Sequence, residues 1–189
     1  MLFILLLFSF LLILLSLIVV WTWKNGISPM PTPLKIKHIL LEQLPPLHKG
    51  FVYELGAGWG TLAVALAKKY PNCQVIAYEN SPIPYCFLKL RLWLNSINNV
   101  KVHPQDFFTA SLHQADLVVC YLYPKAMQKL KSKFELELKD ETWVVSHTFA
   151  IPGWRAVRII PIQDIYQSKI YFYRYIKHEI HKKSVDIKD

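Results

Sequence analysis

Apolar and polar positions divide the chain into a continuous apolar start and a longer region of short, alternating segments. Residues 1–23 carry no charged side chain, glycine or proline. A helix of that length measures about 35 Å, enough to cross a hydrocarbon core of about 30 Å. Trp21 and Trp23, followed by Lys24, are typical of a membrane interface. A cleaved signal peptide is the alternative, but its basic start and small-residue cleavage site are missing. We therefore predict a retained transmembrane anchor over residues 1–23.

The segment after the predicted anchor contains glycine and several prolines and has no periodicity, which is typical of a linker. We place this linker at residues 24–34. The next stretch, "LKIKHILLEQL", has helical spacing and ends at Pro45 and Pro46. One domain is predicted over residues 35–178, followed by a basic tail at residues 179–189.

From residue 51 onwards, short apolar runs alternate with amphipathic stretches. Helical spacing predicts helices at residues 61–70, 83–95 and 124–134. The predicted strands are residues 51–55, 74–79, 100–103, 115–123, 142–149, 155–162 and 168–175. Alternating strands and helices predict an α/β fold with a parallel sheet that has helices on both faces. The last two strands have no helix between them, so we expect a C-terminal antiparallel hairpin in a seven-stranded, Rossmann-like sheet.

Charge and cysteine content narrow the environment of this domain. The chain has a formal net charge of +9 and three cysteines. The cysteines are not closely spaced, which argues against disulfides and a zinc site and fits a reducing compartment.

Basic residues follow the anchor and none precedes it, which predicts a domain on the cytoplasmic side, or on the matrix side in an organelle. The basic residues have no aromatic interleaving, so we expect no nucleic-acid partner. Two explanations of the positive charge remain open: attraction to anionic lipid headgroups, and a solvated surface that keeps the domain soluble.

Three glycines in five positions, Gly56, Gly58 and Gly60, directly follow the first predicted strand. At a turn from strand to helix, backbone N–H groups are free and missing side chains let a ligand approach the main chain. Ligands of open α/β sheets bind at the carboxyl ends of the strands. The loop therefore predicts a ligand site that includes Ala57 and the preceding Glu54. A tight turn without a ligand is the simpler alternative.

The spacing of these glycines distinguishes between nucleotide ligands. A dinucleotide fingerprint, G-x-G-x-x-G, would need glycine at the position of Thr61. The compact G-x-G-x-G after Glu54 resembles motif I of the class I S-adenosylmethionine-dependent methyltransferases. Glu79 ends the second strand, where a carboxylate can accept hydrogen bonds from ribose hydroxyls, and Asn80 follows it.

The resemblance to these methyltransferases extends beyond the glycines. In "HPQDFF", Asp106 and Phe107 match the family position that holds the adenine. The resemblance implies S-adenosyl-L-methionine as the cofactor and implies that Asp106 and Phe107 bind its base. We expect no metal.

A closer resemblance rests on the order of an anchor, "SPMPTP", "ELGAGWG", "DLVVCYLYP" and "FAIPGW". This order is similar to that of the small membrane-associated lysine methyltransferases. Known members of that family modify the adenine nucleotide translocase and the c-subunit of ATP synthase. The resemblance implies a lysine of a membrane-associated protein as the substrate and places residues 31–33 at the rim of the site.

The substrate is expected at the end of the fourth strand, where Tyr121 and Tyr123 can flank an amine through ring faces and hydroxyls. His147 and Thr148 end the fifth strand and are expected to face the same crevice. A general-base role for His147 is weighed against a purely structural one. Trp154 can belong either to the core or to the wall of the substrate site.

The leading hypothesis is therefore a membrane-anchored, S-adenosylmethionine-dependent protein-lysine methyltransferase. A methyltransferase acting on a lipid or quinone headgroup fits the anchor equally well. A catalytically silent membrane scaffold of the same fold is a third possibility. A nicotinamide oxidoreductase is disfavoured by Thr61 and by the acid after the third strand.

Overall fold

The computed structural model describes residues 1–26, 28 and 30–177, so the predicted basic tail at 179–189 lies outside the described residues. The helices are α1 Leu2–Asn25, α2 Leu34–Gln43, α3 Thr61–Lys69, α4 Pro82–Leu94 and α5 Pro124–Glu137. The strands are β1 Gly50–Leu55, β2 Cys73–Tyr78, β3 Val100–His103, β4 Leu117–Cys120, β5 Trp143–His147, β6 Arg158–Pro161 and β7 Lys169–Arg174.

These strands form one seven-stranded sheet in the order β3-β2-β1-β4-β5-β7-β6. The first five strands are parallel, and β7 pairs antiparallel with both β5 and β6. The predicted fold and its C-terminal hairpin are therefore confirmed. Strands β2 and β3 are added on one side of β1, and β4 and β5 on the other, so the order of addition switches between β1 and β4. Open α/β sheets bind their ligands at such a switch point.

Successive side chains of the central strands point to opposite faces of the sheet, and each face packs into its own hydrophobic core. Tyr53 and Leu55 of β1 contact the cluster that contains α5, whereas Val52 contacts the cluster that contains α2 and α3. Leu88 and Leu92 of α4 pack with α3 on that second side. The parallel strands are buried on both faces because helices cover both.

Several element ends differ from the sequence expectation by a few residues, and two of these differences affect the site. Strand β4 ends at Cys120, whose partner Leu55 is also the last residue of β1. Tyr121 and Tyr123 therefore lie beyond the ladder, in the turn that leads to Pro124 at the start of α5. Helix α1 continues past the predicted end of the anchor to Asn25 and stops at Gly26, which has a φ of 70°.

Helix α1 extends from the domain but is attached to it at its carboxyl end. None of its apolar window is buried, and the helix is long and apolar enough to cross a bilayer. Leu17, Ile18 and Trp21 lie beside residues 82–84 at the start of α4. The segment after α1 does not simply separate helix and domain, because residues 30–32 line the same cavity as the glycine loop.

Candidate active site

A cavity of about 260 Å³ lies at the carboxyl ends of β1, β2 and β4. Ten of the twelve predicted site residues line it: Glu54, Gly56, Ala57, Gly58, Glu79, Asn80, Asp106, Phe107, Tyr121 and Tyr123. Gly60 and His147 are outside this wall. The parallel strands bring these residues together because the loops that follow them meet at one edge of the sheet.

Backbone amides of the glycine loop are largely used within the protein, which differs from the expectation of free donors. The N–H groups of Gly56 and Ala57 both donate to the carbonyl of Tyr78, at 3.0 and 2.9 Å. Gly58 donates its N–H to Glu79 Oε2 at 2.7 Å. The loop is therefore fixed against β2, and its openness comes from the missing side chains.

Gly58 and Gly60 both have a positive φ but serve different purposes. A Cβ on Gly58 would meet no atom within 4 Å, so this position opens into the cavity. A Cβ on Gly60 would lie 2.2 Å from Leu88 Cδ1 of α4. Packing between the α3 N-terminus and α4 therefore explains Gly60, which sequence reasoning had assigned to the cofactor.

Two buried carboxylates line the cavity wall, and their environments differ. Glu79 accepts hydrogen bonds from Gly58 N–H and, through Oε1, from Ser81 N–H at 2.7 Å. Glu54 Oε2 is buried and has no hydrogen-bond partner within the part of the chain that the structure describes. Burial, followed by repulsion from Glu79, raises the pKa of Glu54 well above its usual 4.5. A cationic group in the cavity would stabilise the ionised form of Glu54.

The loop after β3 forms another part of the wall. Asp106 Oδ1 accepts the N–H of Phe108 at 2.9 Å, which holds the loop in a turn. Phe107 and Phe108 are in contact, with ring centroids 4.5 Å apart. Lys129 of α5 lies 3.9 Å from the centroid of Phe108 and also lines the cavity. The two phenylalanines give this end of the cavity an apolar surface beside a carboxylate.

Tyr121 and Tyr123 line the cavity as expected, whereas His147 lies behind Tyr121. The rings of Tyr121 and His147 are 4.3 Å apart. His147 is 2% exposed, and neither ring nitrogen has a hydrogen-bond partner among the residues described. Burial lowers its pKa from 6.5 to about 4, against a smaller opposing effect of Asp164. The imidazole is therefore neutral at pH 7 and supports Tyr121 by packing.

Sequence reasoning missed the contribution of the end of α1. Asn25 and Asn80 form a reciprocal amide pair, with N–O distances of 2.9 and 3.0 Å. Asn25 Nδ2 also donates to Ser81 Oγ at 2.9 Å. Gly26 lies against Tyr123, since a Cβ there would be 3.3 Å from Tyr123 Cζ. The polar Asn-Gly pair that ends an otherwise apolar helix is the sequence signal for this contact, and the linker predicted over residues 24–34 includes it.

Trp154 lies in the core and does not line the cavity. Trp154 packs in the core against Phe134 and Tyr175, and its indole N–H donates to Glu135 Oε1 at 3.0 Å. Across the residues described, no group of three or more His, Cys, Asp or Glu side chains is placed to hold a metal ion.

This sheet order and the glycine-lined cavity define an α/β methyltransferase fold. A solved RNA methyltransferase from Salinibacter ruber, in complex with S-adenosyl-L-homocysteine, superimposes with a TM-score of 0.70. It is 24% identical, and the match covers 78% of this chain and 95% of that one. The ANTKMT methyltransferase domain family matches residues 54–158, more than half of the chain. The protein belongs to that family, and it is a methyltransferase.

Curated relatives share this region to different extents. A protein-lysine N-methyltransferase from Saccharolobus islandicus is 29% identical over 136 residues, which are 71% of this chain and 84% of the relative. The lysine N-methyltransferase of the ATP synthase c-subunit from Homo sapiens is 28% identical over 107 residues, which are 56% of this chain and 45% of the relative. The matched region thus spans most of the archaeal protein and about half of the human one.

The cofactor of the protein is S-adenosyl-L-methionine. The cavity fits this molecule in two respects. Gly58 leaves a space that any side chain would fill. Glu54 supplies a buried carboxylate oxygen with no partner among the described residues, which suits a ligand carrying a sulfonium and an ammonium group.

Proposed function

We propose that this methyltransferase is anchored in a membrane by α1 and transfers a methyl group to a lysine amine of a membrane-associated protein. One observation carries the proposal. The last residues of the apolar helix, Lys24 and Asn25, line the same cavity as the glycine loop. A membrane-spanning α1 would therefore hold the cavity close to the bilayer surface.

Within this proposal, the cofactor occupies the wall formed by the glycine loop, Glu79 and the loop after β3. Glu79 and Asn80 face the ribose, and Asp106 and Phe107 face the adenine. Glu54 faces the cationic end, where a positive charge offsets the cost of ionising a buried carboxyl. Gly56, Ala57 and Gly58 leave room for the molecule. Gly60 acts indirectly, by letting α3 pack against α4.

S-adenosyl-L-methionine supplies a methyl group that is already activated on a sulfonium centre. The protein then has to orient an amine and keep it uncharged. Neutralising a lysine with a pKa of about 10.4 costs roughly 4–5 kcal/mol at pH 7. Removal from water beside a cationic cofactor reduces this cost. We assign Tyr121 and Tyr123 to flanking the amine, and orientation supplies on the order of 7–11 kcal/mol.

The residues at the end of α1 also support a side of the membrane for the domain. Lys24 follows Trp21 at the end of α1, and its Nζ lies 4.3 Å from that ring. This pair and the basic residues that follow α1, Lys35 and Lys37, favour a cytoplasmic or matrix location for the domain. Two relatives are named for the c-subunit of ATP synthase and for the adenine nucleotide translocase, which supports a protein lysine as the acceptor.

Methyl transfer from labelled cofactor tests the proposal. The purified full chain is incubated with membranes from cells that lack it, and the label is followed into protein hydrolysates. We expect methyl-lysine in a membrane protein and no labelling with Gly58→Arg. Transfer restricted to soluble small molecules would refute the proposed substrate.

A lipid or quinone headgroup is the second candidate acceptor. Met30, Phe107 and Phe108 give the cavity apolar walls close to the end of α1, and this observation favours a lipid-like molecule. Extraction of the same reaction with organic solvent separates the two candidates. Label in the lipid phase would support the second acceptor, and label in precipitated protein the first.

A further inference from the structure

Helix α4 has an apolar face that stays largely exposed in the part of the chain that the structure describes. Phe87, Leu90, Trp93 and Leu94 are 46%, 49%, 75% and 66% exposed. We propose that this face lies in the headgroup region of the same bilayer that holds α1, as a second membrane contact of the domain. The inference rests on the proposed membrane anchoring.

The arrangement of side chains around α4 is that of an interfacial helix. With 100° per residue, the four apolar side chains and Cys86 fall within an arc of about 120°. Leu88 and Leu92 are on the opposite side, buried against α3. The exposed Lys89 lies just beyond one edge of this arc. Arg91 lies beyond the other edge, where its guanidinium donates to the carbonyl of Trp59 and to Thr61 Oγ1, both at 3.4 Å. A lysine in the position of Lys89 reaches lipid headgroups while its stem covers apolar surface.

This face is continuous with the surface of α1. Leu17, Ile18 and Trp21 of α1 lie beside residues 82–84, the first turn of α4. Leu17 precedes the end of α1 by eight residues, or about 12 Å of helix. If α1 crosses the bilayer, the start of α4 is therefore at the depth where the membrane meets water, and the exposed arc continues from there.

The chemistry of the arc favours lipid over another protein. The arc includes Trp93, and tryptophan is enriched at membrane interfaces. Lys89 at its edge carries an exposed positive charge that matches anionic headgroups. A single spanning helix lets the whole protein rotate about the helix axis relative to the bilayer. A second contact through α4 fixes that orientation. Phe87 also packs edge-on against Trp59 of the glycine loop, with centroids 5.4 Å apart. The proposed membrane contact is therefore in direct contact with a residue that lines the cavity.

Cys86 provides a direct probe because it is exposed within this arc, whereas Cys73 and Cys120 are buried. The full chain is labelled at Cys86 with a nitroxide and reconstituted into vesicles of phosphatidylcholine and phosphatidylglycerol. Depth is measured from relaxation by oxygen against a water-soluble nickel chelate. We expect the Cys86 label to favour oxygen.

The matched control is Gln128→Cys combined with Cys86→Ser. Gln128 is exposed on α5, on the opposite face of the sheet, so its label should favour nickel. Leu90→Asp with Trp93→Asp should shift the Cys86 label towards nickel and leave cofactor binding unchanged.

The possible failures are distinguishable. If the protein floats with vesicles and transfers methyl groups, but the Cys86 label reads as aqueous, the α4 contact is refuted while the proposed function stands. Spin–spin broadening at Cys86 would instead identify a second copy as the occupant of the face and would also refute the lipid contact. If the protein does not float, anchoring and the α4 contact both fail.

Discussion

At the scale of single residues, the glycine loop separates ligand binding from packing. Gly58 faces open space, whereas Gly60 faces Leu88. Both have a φ that only glycine adopts without cost, 53° and 74° respectively. The same residue type thus serves the ligand at one position and the fold at the other. A pair of substitutions can separate these roles.

Gly58→Arg should abolish cofactor binding while the protein stays folded, because its side chain enters the cavity. Gly60→Ala should lower the free energy of unfolding by about 2–4 kcal/mol, from backbone strain and overpacking against Leu88. Calorimetric titration with S-adenosyl-L-methionine and thermal denaturation in detergent measure the two effects. Unchanged cofactor affinity in Gly58→Arg would remove the cofactor from this loop.

Glu54 should link stability and cofactor binding to pH. The raised pKa means that the folded protein holds a proton which the unfolded chain has lost, so stability falls as pH rises from about 4.5 through the folded pKa. Without cofactor, Glu54→Gln should lose less stability than wild type between pH 5 and pH 8. With the cationic cofactor, the same variant should bind about tenfold more weakly or worse.

The measurements for Glu54 are denaturation curves at several pH values and titration calorimetry in two buffers of different ionisation enthalpy. Wild type should release protons on binding, and Glu54→Gln should release fewer. Equal proton release in both proteins would show that Glu54 is already ionised without the ligand.

His147 should affect acid stability and not the pH dependence of catalysis. Its pKa of about 4 lies below the 6.5 of the unfolded chain, so stability is lost as pH falls through that interval, by up to about 3 kcal/mol. His147→Phe keeps a ring against Tyr121 and should flatten this acid limb. An activity profile with an apparent pKa near 6.5 that disappears in His147→Phe would instead identify a general base.

At the scale of elements, the sequence predicted the helices and strands better than their ends. Apolar runs in β1, β2 and β5 are unambiguous because each is buried on both faces. The end of β4 depends on where its neighbour β1 stops, which no local pattern records. The role of Asn25 was missed for a related reason, since its partner Asn80 is 55 residues away.

The amide pair between α1 and the start of α4 should couple the helix to the cofactor site. Asn25→Ala breaks the contacts to Asn80 and Ser81, which directly follow Glu79 in the chain, and we expect about tenfold weaker cofactor binding. A double-mutant cycle with Asn80→Ala should give a coupling energy of about 0.5–3 kcal/mol. Asn95→Ala, an exposed amide at the other end of α4, should have no effect. Strictly additive losses at Asn25 and Asn80 would contradict the coupling.

At the scale of the whole molecule, periodicity and glycine spacing were enough to predict the seven-stranded sheet and the loops that line the cavity. They could not predict how a lone apolar helix meets the domain. The surface pattern of helix α1 is nearly uniform, and among the described residues its contacts with the domain include those of Leu17, Ile18, Trp21 and Asn25. If α1 spans a membrane as proposed, those contacts set the position of the cavity relative to it.

The contact between α1 and the domain leads to a prediction about the rate of methyl transfer. With α1 in a bilayer, the cavity lies close to the membrane surface, so acceptors in the same membrane are present at a high effective concentration. The full chain is reconstituted with membrane proteins from cells that lack it, either in the same vesicles or in separate vesicles that are then mixed. We expect methyl transfer to be at least about tenfold faster in the shared vesicles, with Gly58→Arg as the inactive control. Equal rates in both arrangements would mean that the domain reaches its acceptor through solution, and α1 would then have to act only through its contacts with the cofactor cavity.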